Sequence, residues 1–168
     1  MLSGVYRKWL IDSGSLTARL QQRYVKFAVR PVAVQYAKPI QDEAALLHLP
    51  AHNAALIREV LLIGNNQPVV FAHSVLPRTS LRGPWNDLGR LGNKPLGATL
   101  FANPVVKRTP LEYKKLPHHH PISMRVAEHM LTPPKAMWAR RSVFSLGCAR
   151  ILVTEVFLEQ LLTLVIPA

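Results

Sequence analysis

The segment from Ala55 to Leu76 constrains this chain more than any other. Two apolar runs, Ala55 to Ile63 and Pro68 to Leu76, flank Gly64-Asn65-Asn66-Gln67, which carries turn chemistry. That arrangement reads as a β-hairpin. A second hairpin closes the chain: Trp138 to Leu146 pairs with Arg150 to Leu158 through Gly147-Cys148-Ala149. Side chains alternate between the two faces of a strand. Leu56, Arg58, Val60 and Leu62 therefore share one face, and Ile57, Glu59, Leu61 and Ile63 the other. Both faces are apolar apart from Arg58 and Glu59. On the last strand Glu155 stands with Ile151, Val153 and Phe157.

A lone carboxylate buried in such company costs several kcal/mol or shifts its pKa strongly upward. Something must compensate it. One solution is a structural ion pair, for example Glu155 with an Arg of a neighbouring strand, or an edge strand whose charge snorkels to water. The other is a closed pocket in which Arg58 holds a carboxylate and Glu155 addresses a hydroxyl. Arginine suits that task because its planar fork matches a carboxylate and stays charged. The pattern admits both.

The rest of the chain supplies shorter elements. Residues 5 to 11 read as a helix, and Ser13 or Ser15 caps a second with Leu16 and Leu20 on one face. From Tyr24 to Tyr36, Val25, Phe27 and Val29 alternate with Lys26, Ala28 and Arg30, and Pro31 implies an edge or a bulge. Asp42 is expected to cap a short helix reaching His48. Pro77 to Gly92 is rich in Gly, Pro and Asn, with short helical turns at most, and Lys94 to Ala102 reads as a brief helix opening with Pro95. Pro104 to Leu116 is a strand weakened by Pro110, and Pro117 to Met137 reads as a flexible loop. Hairpin strands with clustered short helices imply an α+β fold around an antiparallel sheet, one domain over residues 1–168.

Composition narrows the function. Lys and Arg total 21 against nine Asp and Glu, a formal charge of +12 that draws in anions. The basic residues are scattered rather than arranged in a stripe with aromatics, so nucleic acid is not expected as a partner. Ile151 to Ala168 is apolar but interrupted by Glu155, Glu159 and Gln160, a poor membrane span. The start lacks the apolar run of a signal peptide. Cys148 stands alone, which suits a reducing cytosol. A cytoplasmic monomer without stable membrane insertion is expected. His118-His119-His120 is flanked by Pro117 and Pro121 and reads as a solvated loop rather than a metal site. Cys148 has no obvious His partner, and Gly92 to Gly97 lacks the phosphate-loop pattern.

Five segments in order carry a resemblance. They are Asp12-Ser13 with Ser15-Leu16-Thr17-Ala18-Arg19-Leu20; Arg58-Glu59-Val60-Leu61-Leu62; Leu91-Gly92-Asn93-Lys94-Pro95-Leu96-Gly97; Trp138-Ala139-Arg140-Arg141-Ser142; and Thr154-Glu155-Val156-Phe157-Leu158. Over roughly residues 8 to 158 the chain resembles the chorismate pyruvate-lyases. The resemblance implies an antiparallel sheet with helices forming flaps over an internal site, and conversion of chorismate to 4-hydroxybenzoate and pyruvate, the first step towards the ubiquinone ring. It implies no cofactor and no metal. Arg58 matches the arginine that binds the ring carboxylate, and Glu155 the glutamate that meets the ring hydroxyl. Leu16 and Leu96 match flap residues that contact the ligand through main-chain N–H groups. Arg140 and Arg141 are candidates for the enolpyruvyl carboxylate, although surface-facing positions are the simpler expectation for them. The segment from about Pro117 to Ala136 and the apolar tail Leu161 to Ala168 both exceed the family pattern. The competing reading is a non-catalytic sensor of small aromatic acids, like the effector domains of certain bacterial transcription regulators. Those follow a winged-helix domain for which the N-terminal residues leave no room.

Overall fold

The computed structural model describes residues 4–50 and 52–163. The predicted hairpin is its centre: β2 (Ala55–Gly64) and β3 (Gln67–Pro77) pair antiparallel throughout. Asn65 and Asn66 take φ of 49° and 68°, the left-handed two-residue turn whose twist matches that of the strands. Gly64 is required by packing rather than by backbone conformation. A Cβ there would lie 2.5 Å from the Tyr24 ring, which packs against this end of the hairpin.

The closing hairpin, β6 (Ala136–Leu146) and β7 (Ala149–Phe157), docks with β7 beside β3. β1 (Phe27–Ala37) lies outside β2, and its register slips between Pro31 and Ala33, so Pro31 marks both an edge and a bulge. Pro110 divides the segment expected as one weak strand into β4 (Lys107–Arg108) and β5 (Glu112–Pro117), both paired to β6. The sheet is antiparallel, in the order β1-β2-β3-β7-β6-β4, with β5 also on β6.

Helices cover both faces. On the face bearing Arg58, α1 (Gly4–Leu10) and α2 (Leu16–Arg23) bury Trp9, Leu10, Leu16 and Leu20 against Val60, Leu62 and Phe157. Ser15 caps α2, its Oγ accepting the Ala18 N–H at 3.2 Å. Beyond a gap, α4 (Arg78–Arg82), a 3-10 turn at Asn86–Arg90 and α5 (Leu96–Ala102) bring Leu88, Leu96 and Leu100 onto Leu56, Phe144 and Val153. Pro95 is the N-cap of α5 rather than its first residue.

On the opposite face lie α3 (Gln41–Leu46) and α6 (Pro121–Ala127). Asp42 does not cap α3: Ile40 is the N-cap, and the Glu43 carboxylate accepts the Ile40 N–H at 3.1 Å. The expected loop from Pro117 to Met137 contains α6. Pro121 opens it, the His120 ring accepts the Ile122 N–H at 3.1 Å, and Ile122 and Val126, one turn apart, are buried under the sheet. Those two apolar residues among four prolines give too short a period to read from sequence. Of the apolar tail, Leu161 is buried in a 3-10 turn at Glu159–Leu162, whereas residues 164–168 lie outside the described residues. No helix among the described residues is long and apolar enough to cross a membrane.

Candidate active site

The strand register brings the two charges flagged in the sequence together. Val60, Ala72, Glu155 and Arg140 stand side by side across β2, β3, β7 and β6, and Arg58, Ser74, Val153 and Ser142 form the next row. Arg58 and Glu155 thus share a face, offset by about 10 Å across the strands and about 7 Å along them. Their side chains meet one cavity of about 540 Å³, part of it open to solvent, between the two apolar clusters of this face.

Leu16 and Leu96, the first residues of α2 and α5, form the roof with Thr17, Gly97, Leu100 and Phe101; Val60, Leu62, Phe144 and Val153 belong to the floor and wall. The two helices touch. A Cβ on Gly97 would stand 2.9 Å from Thr17 Oγ1, so glycine permits the approach that roofs the cavity. First-turn N–H groups of a helix have no intrahelical acceptor, which gives both helix starts unsatisfied donors beside the cavity. All four positions singled out from sequence therefore line one space.

Arg58 is only 4% exposed. Its Nη2 donates to the carbonyls of Gly92 at 3.2 Å and Lys94 at 2.8 Å, holding the segment that leads into α5. Nε and Nη1 make no hydrogen bond among the described residues. Burial lowers the Arg58 pKa from its ordinary value, but a guanidinium remains charged at neutral pH.

Glu155 is compensated by an ion pair, and it also lines the cavity. Its Oε2 accepts from Arg140 Nη2 at 3.2 Å and Nε at 3.4 Å, while Oε1 has no protein hydrogen bond among the described residues. The pair is buried, and Arg140 also donates from Nη1 to the carbonyls of Trp9 and Asp12, tying the N-terminal segment to the sheet. Arg140 is thus an internal residue, 2% exposed, contrary to the surface position expected for it. Arg141 alternates to the other face and pairs with Asp42 at 2.7 Å and Glu112 at 3.3 Å, outside the cavity. The sequence missed a third cavity arginine, Arg108 of β4. Nothing local marks it, since its orientation depends on pairing with Phe144.

The opposite face carries its own polar row: Glu59, His73, Thr154 and Arg141 align across the sheet. His73 lies between Glu59, 2.8 Å from Nδ1, and Glu43, 2.9 Å from Nε2; Arg125 of α6 closes on the other Glu59 oxygen. Burial alone disfavours the imidazolium, yet hydrogen bonds and charge from Glu43 and Glu59 outweigh it and raise His73 to about 9. Burial likewise works against the Glu59 carboxylate, but His73 and Arg125 hold its pKa below the ordinary value. This row fastens α3 and α6 to the sheet and explains Glu59 without a ligand. His120 is occupied as the α6 cap, and Cys148 is exposed in the β6–β7 turn.

An antiparallel sheet with helices over an arginine-bearing cavity defines the class of the domain as α+β. PhnF from Mycobacterium smegmatis shares this fold at a TM-score of 0.63 and 15% identity, over 91% of this chain and 67% of that one. So does the C-terminal domain of the histidine utilization repressor from Pseudomonas syringae pv. tomato, at a TM-score of 0.61 and 7% identity over 85% and 99%. Those likenesses show the fold alone. Sequence goes further: residues 1–165 match the chorismate lyase family, and the chain belongs to it. A protein of Nitrosospira multiformis named "Probable chorismate pyruvate-lyase" is 50% identical over 159 residues, covering 94% of this chain and 88% of that one. One of the same name from Thiobacillus denitrificans is 47% identical over 157 residues, covering 94% and 84%.

Proposed function

We propose that this protein is a chorismate pyruvate-lyase, releasing 4-hydroxybenzoate and pyruvate from chorismate. The observation that carries the reading is the placement of Arg58 and Glu155 on adjacent rows of one sheet face, both opening on one apolar cavity. In this reading the ring carboxylate accepts from an unengaged N–H of Arg58, and the ring hydroxyl meets the free Oε1 of Glu155. The Leu16 and Leu96 N–H groups complete the polar shell from the roof.

The chemistry balances without a redox or metal partner. The ether bond between the ring and the enolpyruvyl oxygen breaks, and its electron pair leaves on that oxygen. The hydroxyl-bearing carbon gives up its proton, and the C–H pair completes the aromatic ring. In this reading Glu155, the carboxylate among the cavity residues, receives that proton. The released enolpyruvate takes up a proton at carbon and becomes pyruvate. Aromatisation drives the step downhill, so the protein's work is to hold the ring in a preorganised pocket. The charge of +12 steers the dianionic substrate inwards. The 4-hydroxybenzoate formed is the acid that begins the ubiquinone ring.

Incubating chelator-treated protein with chorismate tests this reading. Pyruvate and 4-hydroxybenzoate should appear in equal amounts above the uncatalysed rate. Retention of chorismate without turnover supports the sensor instead; activity restored only by zinc or magnesium contradicts the cofactor-free mechanism.

A further inference from the structure

Chorismate carries two carboxylates, and Arg58 accounts for one. Arg140 and Arg141 do not serve the other. Four of the five N–H donors of Arg140 are engaged with Glu155 and the carbonyls of Trp9 and Asp12. Arg141 is on the far face with Asp42 and Glu112.

Arg108 differs from both. Its Nε donates to Ser142 Oγ at 2.8 Å and its Nη1 to the Ser13 carbonyl at 2.8 Å. The guanidinium carbon lies 4.8 Å from the centre of the Phe144 ring and 5.5 Å from that of Phe101. Two hydrogen bonds and two rings therefore fix a half-buried cation at the cavity wall, while Nη2 has no partner among the described residues. A guanidinium fixed at two nitrogens with its end unused is preorganised to receive an anion.

Its place in the sheet supplies the direction. Arg58 is on β2 and Arg108 on β4, four strand spacings or about 19 Å apart across the sheet. The strand of Glu155, β7, lies between β2 and β4 in the sheet. The enolpyruvyl arm is on the ring carbon next to the hydroxyl-bearing one, so it lies on the Glu155 side of the cavity that Arg108 also lines.

We propose that Arg108 binds the carboxylate of the enolpyruvyl arm, an assignment that rests on the lyase reading above. When the ether bond breaks, negative charge grows on the oxygen next to that carboxylate. The guanidinium holds the leaving enolpyruvate as it separates from the ring. The aromatic product has no such arm, so Arg108 distinguishes substrate from product, whereas Arg58 and Glu155 meet both. A structural strut between Ser13 and Ser142 is the competing role for Arg108, and it predicts no such distinction.

The test compares wild type, Arg108→Ala and Arg108→Lys by chorismate turnover and by 4-hydroxybenzoate affinity. Losing a charged hydrogen-bonding partner should lower kcat/KM for chorismate roughly 10- to 150-fold in Arg108→Ala. Affinity for 4-hydroxybenzoate should change less than about twofold on the same reasoning, which also shows that the variant folds. Arg108→Lys, which keeps the charge, should recover part of the turnover. Equal losses of turnover and product affinity, or wild-type turnover in Arg108→Ala, overturn the assignment while leaving the lyase reading intact. A wild-type protein that releases no pyruvate overturns the reading beneath it.

Discussion

Glu155→Gln separates the ion pair that this side chain makes from the catalytic role proposed for it. Removing one partner of a buried ion pair ordinarily costs about 3–5 kcal/mol. Here the loss should be smaller, for two reasons visible at Arg140. The glutamine amide oxygen can take the place of Oε2, and Arg140 keeps the carbonyls of Trp9 and Asp12 as acceptors. The remaining cost is that of weakening a buried charged hydrogen bond, about 2 kcal/mol. For a chain of this size that lowers Tm by about 4–8 °C. Turnover should fall further than stability, because the amide neither accepts a proton nor favours the hydroxyl as a carboxylate does. The expected loss in kcat/KM is at least tenfold, from the weaker hydrogen bond alone. Differential scanning calorimetry and chorismate turnover on the same preparation check both numbers. A variant that melts much lower yet turns over normally per folded molecule refutes the catalytic assignment. One that melts with wild type shows that the Arg140 pair contributes nothing to stability.

Arg58→Ala should weaken 4-hydroxybenzoate binding by roughly 2–5 kcal/mol, the range for truncating one partner of a buried charge pair. Calorimetry that finds wild-type affinity in a folded variant removes Arg58 from the anchoring role. His73 predicts a pH dependence of stability. Its folded pKa of about 9 exceeds the ordinary 6.5, so its contribution is complete below pH 6.5 and is lost as pH rises through 9. The change amounts to about 3 kcal/mol, and denaturant titrations at pH 6 and pH 9.5 measure it. His73→Gln should be less stable at pH 6 and lose less between the two pH values. An equal loss in both proteins contradicts the imidazolium.

The hairpins were legible because a period of two and a turn are local features. Arg58 and Glu155 were legible because each breaks an apolar face, which is costly wherever the strand lies. What compensates them was not legible. The partner of Glu155 depends on β6 docking beside β7, and nothing within Arg140-Arg141 says which of two adjacent arginines turns inward. The same limit hid the network around Glu59, since His73 and Glu43 come from other elements. Arg108 sits on a two-residue strand, too short to show any alternation. The helix α6 was concealed by flanking prolines that suggest a loop, although Pro121 at its first turn favours the helix. The hairpins and the two cavity-lining charges were thus written in local pattern. The rest of the polar shell was fixed by register.

In the proposed reading one ring lies between Arg58 and Glu155 beneath α2 and α5. A crystal structure of the protein with 4-hydroxybenzoate tests it most directly. The carboxylate is expected on an unengaged N–H of Arg58, the hydroxyl on Glu155 Oε1, and the ring under Leu16 and Leu96. A ligand bound on the opposite face beside His73, or lying in this cavity with its carboxylate away from Arg58, would contradict it.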